Sequence, residues 1–187
     1  YNNRGLTYAL LSENDKAMQD YNKSISLDSD LGKAYLGRAN LKLLRLGKLD
    51  SAILDYEKAK QLMPLSLNTY LNLSVCYFRK NNFYKAIENC DKALKIDSTN
   101  KIVLRNKGES YLQLGQYSEA ERSLKQAITY GHVYSNILLA KTYIEAAQSG
   151  NPLYSDWKER ARDHCARAVS IDEGLAKEAK EILEKIR

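Results

Sequence analysis

Small residues recur along this chain at one interval. Ala52, Ala86 and Ala120 lie 34 residues apart, and Ala59, Ala93 and Ala127 repeat that spacing. Ala17 precedes Ala52 by 35 residues and Ser24 precedes Ala59 by 35, so the period survives a single insertion in the second unit. Upstream of each pair runs a second stripe: Gly5/Tyr8, Ala39/Lys42, Ser74/Tyr77, Gly108/Tyr111 and Ala140/Tyr143, with a small residue three places before the next marker. Spacings of three, four and seven put these residues on one face of a helix. A missing side chain there lets a neighbouring helix approach, and a ring fills the adjoining gap. Each unit therefore predicts two helices.

The stops fall between the stripes. Ser12, Gly47, Asn81 and Gly115 tolerate the left-handed conformation that closes a helix. Ser29, Pro64 and Ser98 separate the units, and Pro ends a helix because it lacks the N–H and clashes with the preceding turn. The fifth unit departs from the pattern, since Tyr143 to Ala161 is 18 residues where Tyr8–Ala17, Tyr77–Ala86 and Tyr111–Ala120 are each nine. The excess predicts an enlarged turn through Ser149–Tyr154, followed by Asp156-x-x-Glu159 as a capping box for the next helix. From Glu173 on, Leu175, Ala179, Ile182, Leu183 and Ile186 form one stripe among Lys and Glu, as a solvating cap on a stacked array requires. By register Tyr1 falls inside the first helix, so a truncated N-terminus is expected.

The series Tyr70-Leu71-Asn72-Leu73-Ser74…Tyr77…Ala86…Ala93, together with Gly108…Tyr111…Gly115-Gln116-Tyr117…Ala120…Ala127, resembles the tetratricopeptide-repeat (TPR) family. The pentatricopeptide RNA-binding repeats share a helical pair and a 35-residue period, but the Ala/Gly/Tyr markers favour the tetratricopeptide assignment. The resemblance covers nearly the whole chain and implies an all-α fold, a right-handed α-α superhelix (solenoid) of about five TPR helix pairs plus a C-terminal capping helix. The expected division of this single domain is 1–31, 32–66, 67–100, 101–132 and 133–172 for the five repeats. The enlarged turn lies near 146–155 and the capping helix at 173–187.

Composition agrees with this. The chain has 187 residues, 44% hydrophobic and 28% charged, which is globular rather than disordered usage, and 2 Pro with 9 Gly are too few for the turns of an all-β sandwich. No uninterrupted apolar run of about 18 residues supports a membrane span. Cys76, Cys90 and Cys165 form no CxxC and have no neighbouring His, so they read as buried small hydrophobes, not zinc ligands or disulfides. His132 and His164 are 32 residues apart and join no nucleophile, and there is no glycine-rich phosphate loop, GxSxG or HExxH. Neither an enzyme, a cofactor nor a metal is expected. The compartment stays open, with the cytoplasm preferred.

In the resembled family the first helix of each pair lines a concave groove. Here that implies a peptide-binding site of Asn3, Asn40, Leu71, Asn72, Val75, Arg79, Arg105, Asn106 and Lys141, with Leu6 and Leu36 also on the wall. Asn3, Asn72 and Asn106 each precede a small marker by two places and align on successive helices, where amides can pair with an extended backbone; Gly37 and Leu138 break the row. The carboxylate clamp that some members use for chaperone C-terminal tails needs three cations. The best register, Leu36, Asn40, Asn72, Ile102 and Asn106, supplies the amides and none of the cations. Lys101 and Arg105 are each one place away, a rotation of about 100° on a helix, and Arg38 is two places from Leu36. A chaperone tail is thus disfavoured as partner.

Charge is uneven. Residues 1–31 carry 3 Lys/Arg against 5 Asp/Glu, residues 32–132 carry 17 against 9, and residues 133–187 carry 9 against 9. The middle units would steer an acidic peptide, whereas nucleic acid is disfavoured because acids dilute the cations and most Tyr sit on core markers. Tyr154 and Trp157 are expected to pack back onto the fifth pair in preference to anchoring a partner. The expected function is a non-catalytic protein-interaction scaffold. The alternative is a structural or regulatory module of a larger chain or homo-oligomer, with anionic-ligand binding behind both.

Overall fold

The computed structural model describes residues 1–186; Arg187, the last residue of the expected capping segment, lies outside them. Among the described residues the regular structure is entirely helical: α1 (Asn2–Leu10), α2 (Asn14–Leu27), α3 (Gly32–Leu44), α4 (Leu49–Leu62), α5 (Leu67–Arg79), α6 (Phe83–Ile96), α7 (Lys101–Gln113), α8 (Tyr117–Thr129), α9 (Ser135–Gln148), α10 (Trp157–Ile171), a 3₁₀ turn at Glu173–Leu175, and α11 (Ala176–Glu184). The turns are set by backbone chemistry. Ser12, Gly47, Asn81 and Gly115 all take positive φ, between 56° and 68°, and let one helix end within a few residues of the next. Asn82 and Asn100 then cap α6 and α7 by accepting from the N–H groups of Lys85 and Val103.

The chain forms two compact units, the first Tyr1–Arg79 and the second from Lys80 onward. In the first, α1 packs on α2 and α3, α3 on α4, and α4 on α5. Ala17, Ala39, Ala52 and Ala59 are fully buried, so the markers found by spacing are the points where helices meet. The large side chains completing this core are Tyr21 and Tyr56, which lie four residues after Ala17 and Ala52 on the second helix of each pair. The first-helix rings at Tyr8 and Tyr77 are only half-buried. Tyr8 lies beneath the cations of Arg4 and Lys16, and Tyr77 donates to Glu57 Oε1 at 3.0 Å. Ion pairs tie first helix to second: Arg4 grips Asp20 through two bonds of 2.7 and 2.8 Å, and buried Asp55 takes Arg38 at 2.7 and 2.8 Å and Lys42 at 2.6 Å.

In the second unit α6 packs on α7, α7 on α8, α8 on α9 and α9 on α10, with α11 against α9 and α10. Gly108 permits the closest approach: a Cβ there would lie 2.7 Å from Leu124 Cγ. The main core joins Leu124, Ile137, Leu139, Tyr143, Ala161, Cys165 and Ala168 to Ala179, Ile182 and Ile186 at the C-terminal end. Cys76, Cys90 and Cys165 are buried, and none forms a disulfide among the described residues.

Residues 149–156 separate α9 from α10. Leu153, Tyr154 and Trp157 are partly buried against the core of this unit, so the aromatics pack inward. The capping box expected at Asp156 does not form: no side chain caps α10, and Asp156 Oδ1 instead accepts from Arg160 Nε at 2.8 Å. A charge-assisted bond one turn along the helix competes successfully for the carboxylate.

Candidate functional site

In the first unit, α1 and α3 present a cleft of about 200 Å³ whose lining includes Leu6, Leu10, Gly37, Asn40, Leu44 and Arg45, with Tyr21 and Leu41 as buried floor. Its rim is apolar and open: Leu6, Leu10 and Leu44 are 52%, 73% and 68% exposed. Leu6 and Leu10 are one turn apart on α1, and Asn40 and Leu44 are one turn apart on α3, so each helix contributes one stripe. Of the nine residues expected from the sequence, Asn40 alone lines this cleft. Leu10 and Leu44 were missed; their signal is an apolar residue in the last turn of a first helix, four places after a groove position.

The amides are already engaged. Asn40 Oδ1 accepts from Asn72 Nδ2 at 2.9 Å and from the hydroxyl of Tyr56 at 2.7 Å. Burial holds the Tyr56 hydroxyl well above the ordinary tyrosine range, so it stays a donor. Leu71 and Val75 are half-buried on α5, whereas Asn3 and Arg79 are exposed. Asn3 Oδ1 accepts from Asn2 at 3.2 Å. Arg38, two places from a clamp position, is turned instead toward α4 and Asp55.

In the second unit, Arg105 Nη1 pairs with Glu109 at 2.6 Å. Asn106 is buried, and its Nδ2 has no hydrogen-bond partner among the described residues. Lys141 is held by α11: its Nζ lies 2.8 Å from Glu178 Oε1, which also accepts from Tyr134 at 2.9 Å. Burial works against the ammonium, but the bond to Glu178 outweighs it and raises Lys141 above its ordinary range. Lys101 reaches the carbonyl of Gly131 at 3.3 Å. His132 is lowered by burial and by Arg105 and Lys101, and its Nδ1 lies 2.9 Å from Ser135 Oγ. The amides are thus split between a bonded pair in the first unit and a buried one in the second. Among the described residues no group of three or more His, Cys, Asp or Glu side chains could hold a metal, and no helix is long and apolar enough to cross a membrane.

Buried alanines at a 34-residue period, positive-φ turns and paired helices define the class. The chain belongs to the tetratricopeptide-repeat family: residues 1–31 match the tetratricopeptide-repeat profile, and residues 45–127 match that of anaphase-promoting complex, cyclosome, subunit 3. Human peptidyl-prolyl cis-trans isomerase FKBP4 is 30% identical over 117 residues, covering 54% of this chain and 25% of that protein. The DnaJ protein P58IPK homolog B of Oryza sativa subsp. japonica is 32% identical over 139 residues, covering 66% and 30%. The chain therefore spans between a quarter and a third of the length of these relatives. Among solved structures, MamA superposes with a TM-score of 0.80 at 18% identity, over 92% of this chain and 96% of that one. YrrB, described as a TPR protein with an unusual peptide-binding site, gives 0.79 at 20%, over 97% and 90%. PilW, a type IV pilus biogenesis factor, gives 0.80 at 22%, over 99% and 84%.

Proposed function

We propose that this chain is a non-catalytic protein-interaction scaffold that seats a peptide or an extended partner segment on the first helices of its pairs. The observation carrying this is the open apolar cleft of the first unit, where Leu6, Leu10 and Leu44 leave hydrocarbon in water beside the amide of Asn40 and the cation of Arg45. Exposed apolar side chains around a concave floor, with a few polar groups to fix direction, are the usual composition of a peptide seat. Tetratricopeptide folds are typically scaffolds, and YrrB is described as binding peptide, which supports the same reading here. Within the second unit, Arg105 and Lys141 on first helices would favour a segment with acidic side chains, in competition with Glu109 and Glu178.

The test is to pan a phage-displayed peptide library on the chain and measure selected peptides against Leu10→Asp/Leu44→Asp. Both side chains are exposed, so the double variant should melt with the wild type while losing at least about tenfold in affinity. Peptides that bind both proteins equally well place the seat elsewhere.

A further inference from the structure

Away from the first-helix cleft, a wider one of about 400 Å³ opens in the second unit between α8 and α10, walled by Lys125, Tyr143, Arg160, His164 and Arg167, with Asp163 on its rim. Arg160, His164 and Arg167 recur at i, i+4 and i+7 and share one face of α10. Lys125 comes from α8, and it and Arg160 gather on a single ring: they lie 5.9 and 3.9 Å from the centroid of Tyr154. Each of these two cations has one carboxylate partner, Glu121 for Lys125 and Asp156 for Arg160.

The carboxylates nearby are largely committed. Glu121 is buried and accepts from Tyr143 at 3.0 Å, from Tyr154 at 3.1 Å and from Lys125 at 2.6 Å. Asp156 takes Nε of Arg160, leaving that guanidinium's outer nitrogens. The side chain of Arg167 has no hydrogen bond or ion pair among the described residues. Among the described residues Asp163 is the one acid in the lining, against three cations, of which Lys125 and Arg160 each keep one carboxylate partner outside it.

His164 is oriented by a neighbour on α9. Its Nδ1 lies 2.9 Å from Asn136 Oδ1, while Asn136 Nδ2 donates to the carbonyl of Val133. That orientation makes Nδ1 the protonated nitrogen and leaves Nε2 as a lone pair. Burial pushes His164 down to about 4; Arg167 and Lys125 add to this, and Asp163 and Glu121 oppose it.

We propose that this cleft binds a phosphomonoester dianion, the phosphate of a phosphorylated serine or threonine on a partner protein, with Lys125, Arg160 and Arg167 as its donors. Three cationic side chains from two helices converge, which suits a group with three strong acceptor oxygens better than a carboxylate with two. The volume exceeds a bare phosphate and leaves room for the serine or threonine carbons that carry it. A bound dianion would offset the two cations that depress His164 and so favour its protonation at Nε2, adding a fourth donor. This surface is separate from the peptide seat of the first unit, and neither proposal depends on the other.

The experiment follows the ring resonances of His164 in the whole chain by NMR between pH 3 and 7. Titrants are inorganic phosphate, a phosphoserine pentapeptide and its unphosphorylated counterpart, all at matched ionic strength in sodium chloride. The expected result is a rise of about one unit in the midpoint of His164 on saturation with phosphopeptide. Affinity should fall about tenfold in Arg167→Ala and partly recover in Arg167→Lys. Arg167 is exposed, so both variants should melt with the wild type. Should the His164 titration stay unmoved in the wild type, or Arg167→Ala bind as tightly, the site is overturned. Inorganic phosphate or the unphosphorylated peptide binding as well as the phosphopeptide would overturn the protein-borne ligand.

Discussion

Gly37 stands directly against the ring of Tyr21: a Cβ added at Gly37 would lie 2.5 Å from Cε1 and 2.7 Å from Cζ. Tyr21 belongs to α2 and Gly37 to α3, so one hydrogen in place of a side chain sets the spacing between consecutive pairs. It also explains why the row of amides breaks at this position, since an asparagine there has no room for its first carbon.

Gly37→Ala should therefore destabilise the chain by about 1–3 kcal/mol, because overpacking against a buried ring outweighs the roughly 0.5–1 kcal/mol that alanine gains in a helix. Urea denaturation would measure it. An unchanged midpoint would mean that α3 yields freely and that the contact does not set the spacing.

Asp55 is buried and holds Arg38 and Lys42 together. Asp55→Ala leaves two partly buried cations without their counter-charge and should cost roughly 2–4 kcal/mol, more than either Arg38→Ala or Lys42→Ala alone. The same measurement on Asp20→Ala should show less, because its partner Arg4 is largely exposed and can return to water.

The depressed His164 makes stability depend on pH in a defined direction. Its folded value, about 4, lies below the ordinary value near 6.5, so the unfolded chain takes up the proton first as pH falls. The contribution is fully present above about pH 6.5, is lost progressively toward pH 4, and does not change further below that. Because the ring is only partly buried, the loss should be about 1–2 kcal/mol. His164→Gln should flatten the stability profile in this window by the share of one proton; His132, lowered in the same direction, retains its own share.

Glu121 ties the segment between α9 and α10 to α8 and α9. Burial opposes its charge, but Lys125 and the hydroxyls of Tyr143 and Tyr154 more than compensate and hold it below the ordinary glutamate range. Tyr143→Phe removes one bond and should cost about 1 kcal/mol. Glu121→Ala strands two hydroxyls together and should cost about 2–4 kcal/mol. It should also raise amide exchange at Leu153–Ser155 ahead of the rest of the unit. Uniform exchange through both regions would show that the network does not anchor the segment.

Much of the architecture was legible in the residues themselves. Ala52 and Ala86 announce a period because only a methyl group fits where two helices touch, and such a position leaves the same mark in every unit. Ser12 and Asn81 announce turns for an equally local reason, since few non-glycine residues accept positive φ. The groove was less legible. Asn72 is in register for a ligand, but register does not reveal that Asn40 and Tyr56 already hold its network.

What the sequence determined alone is what depends on near neighbours or on an exact repeat: the helices, their ends, and which small residues lie between them. What the tertiary structure decided is which polar groups remain available, because that depends on partners distant in the chain. Arg38 turns to Asp55, Lys141 to Glu178, and Asp156 away from its cap to Arg160. A side chain's reach spans several competing partners, and only the packed helices select among them. The apolar rim at Leu10 and Leu44 emerged in the same way, as hydrocarbon that no helix of its own unit covers.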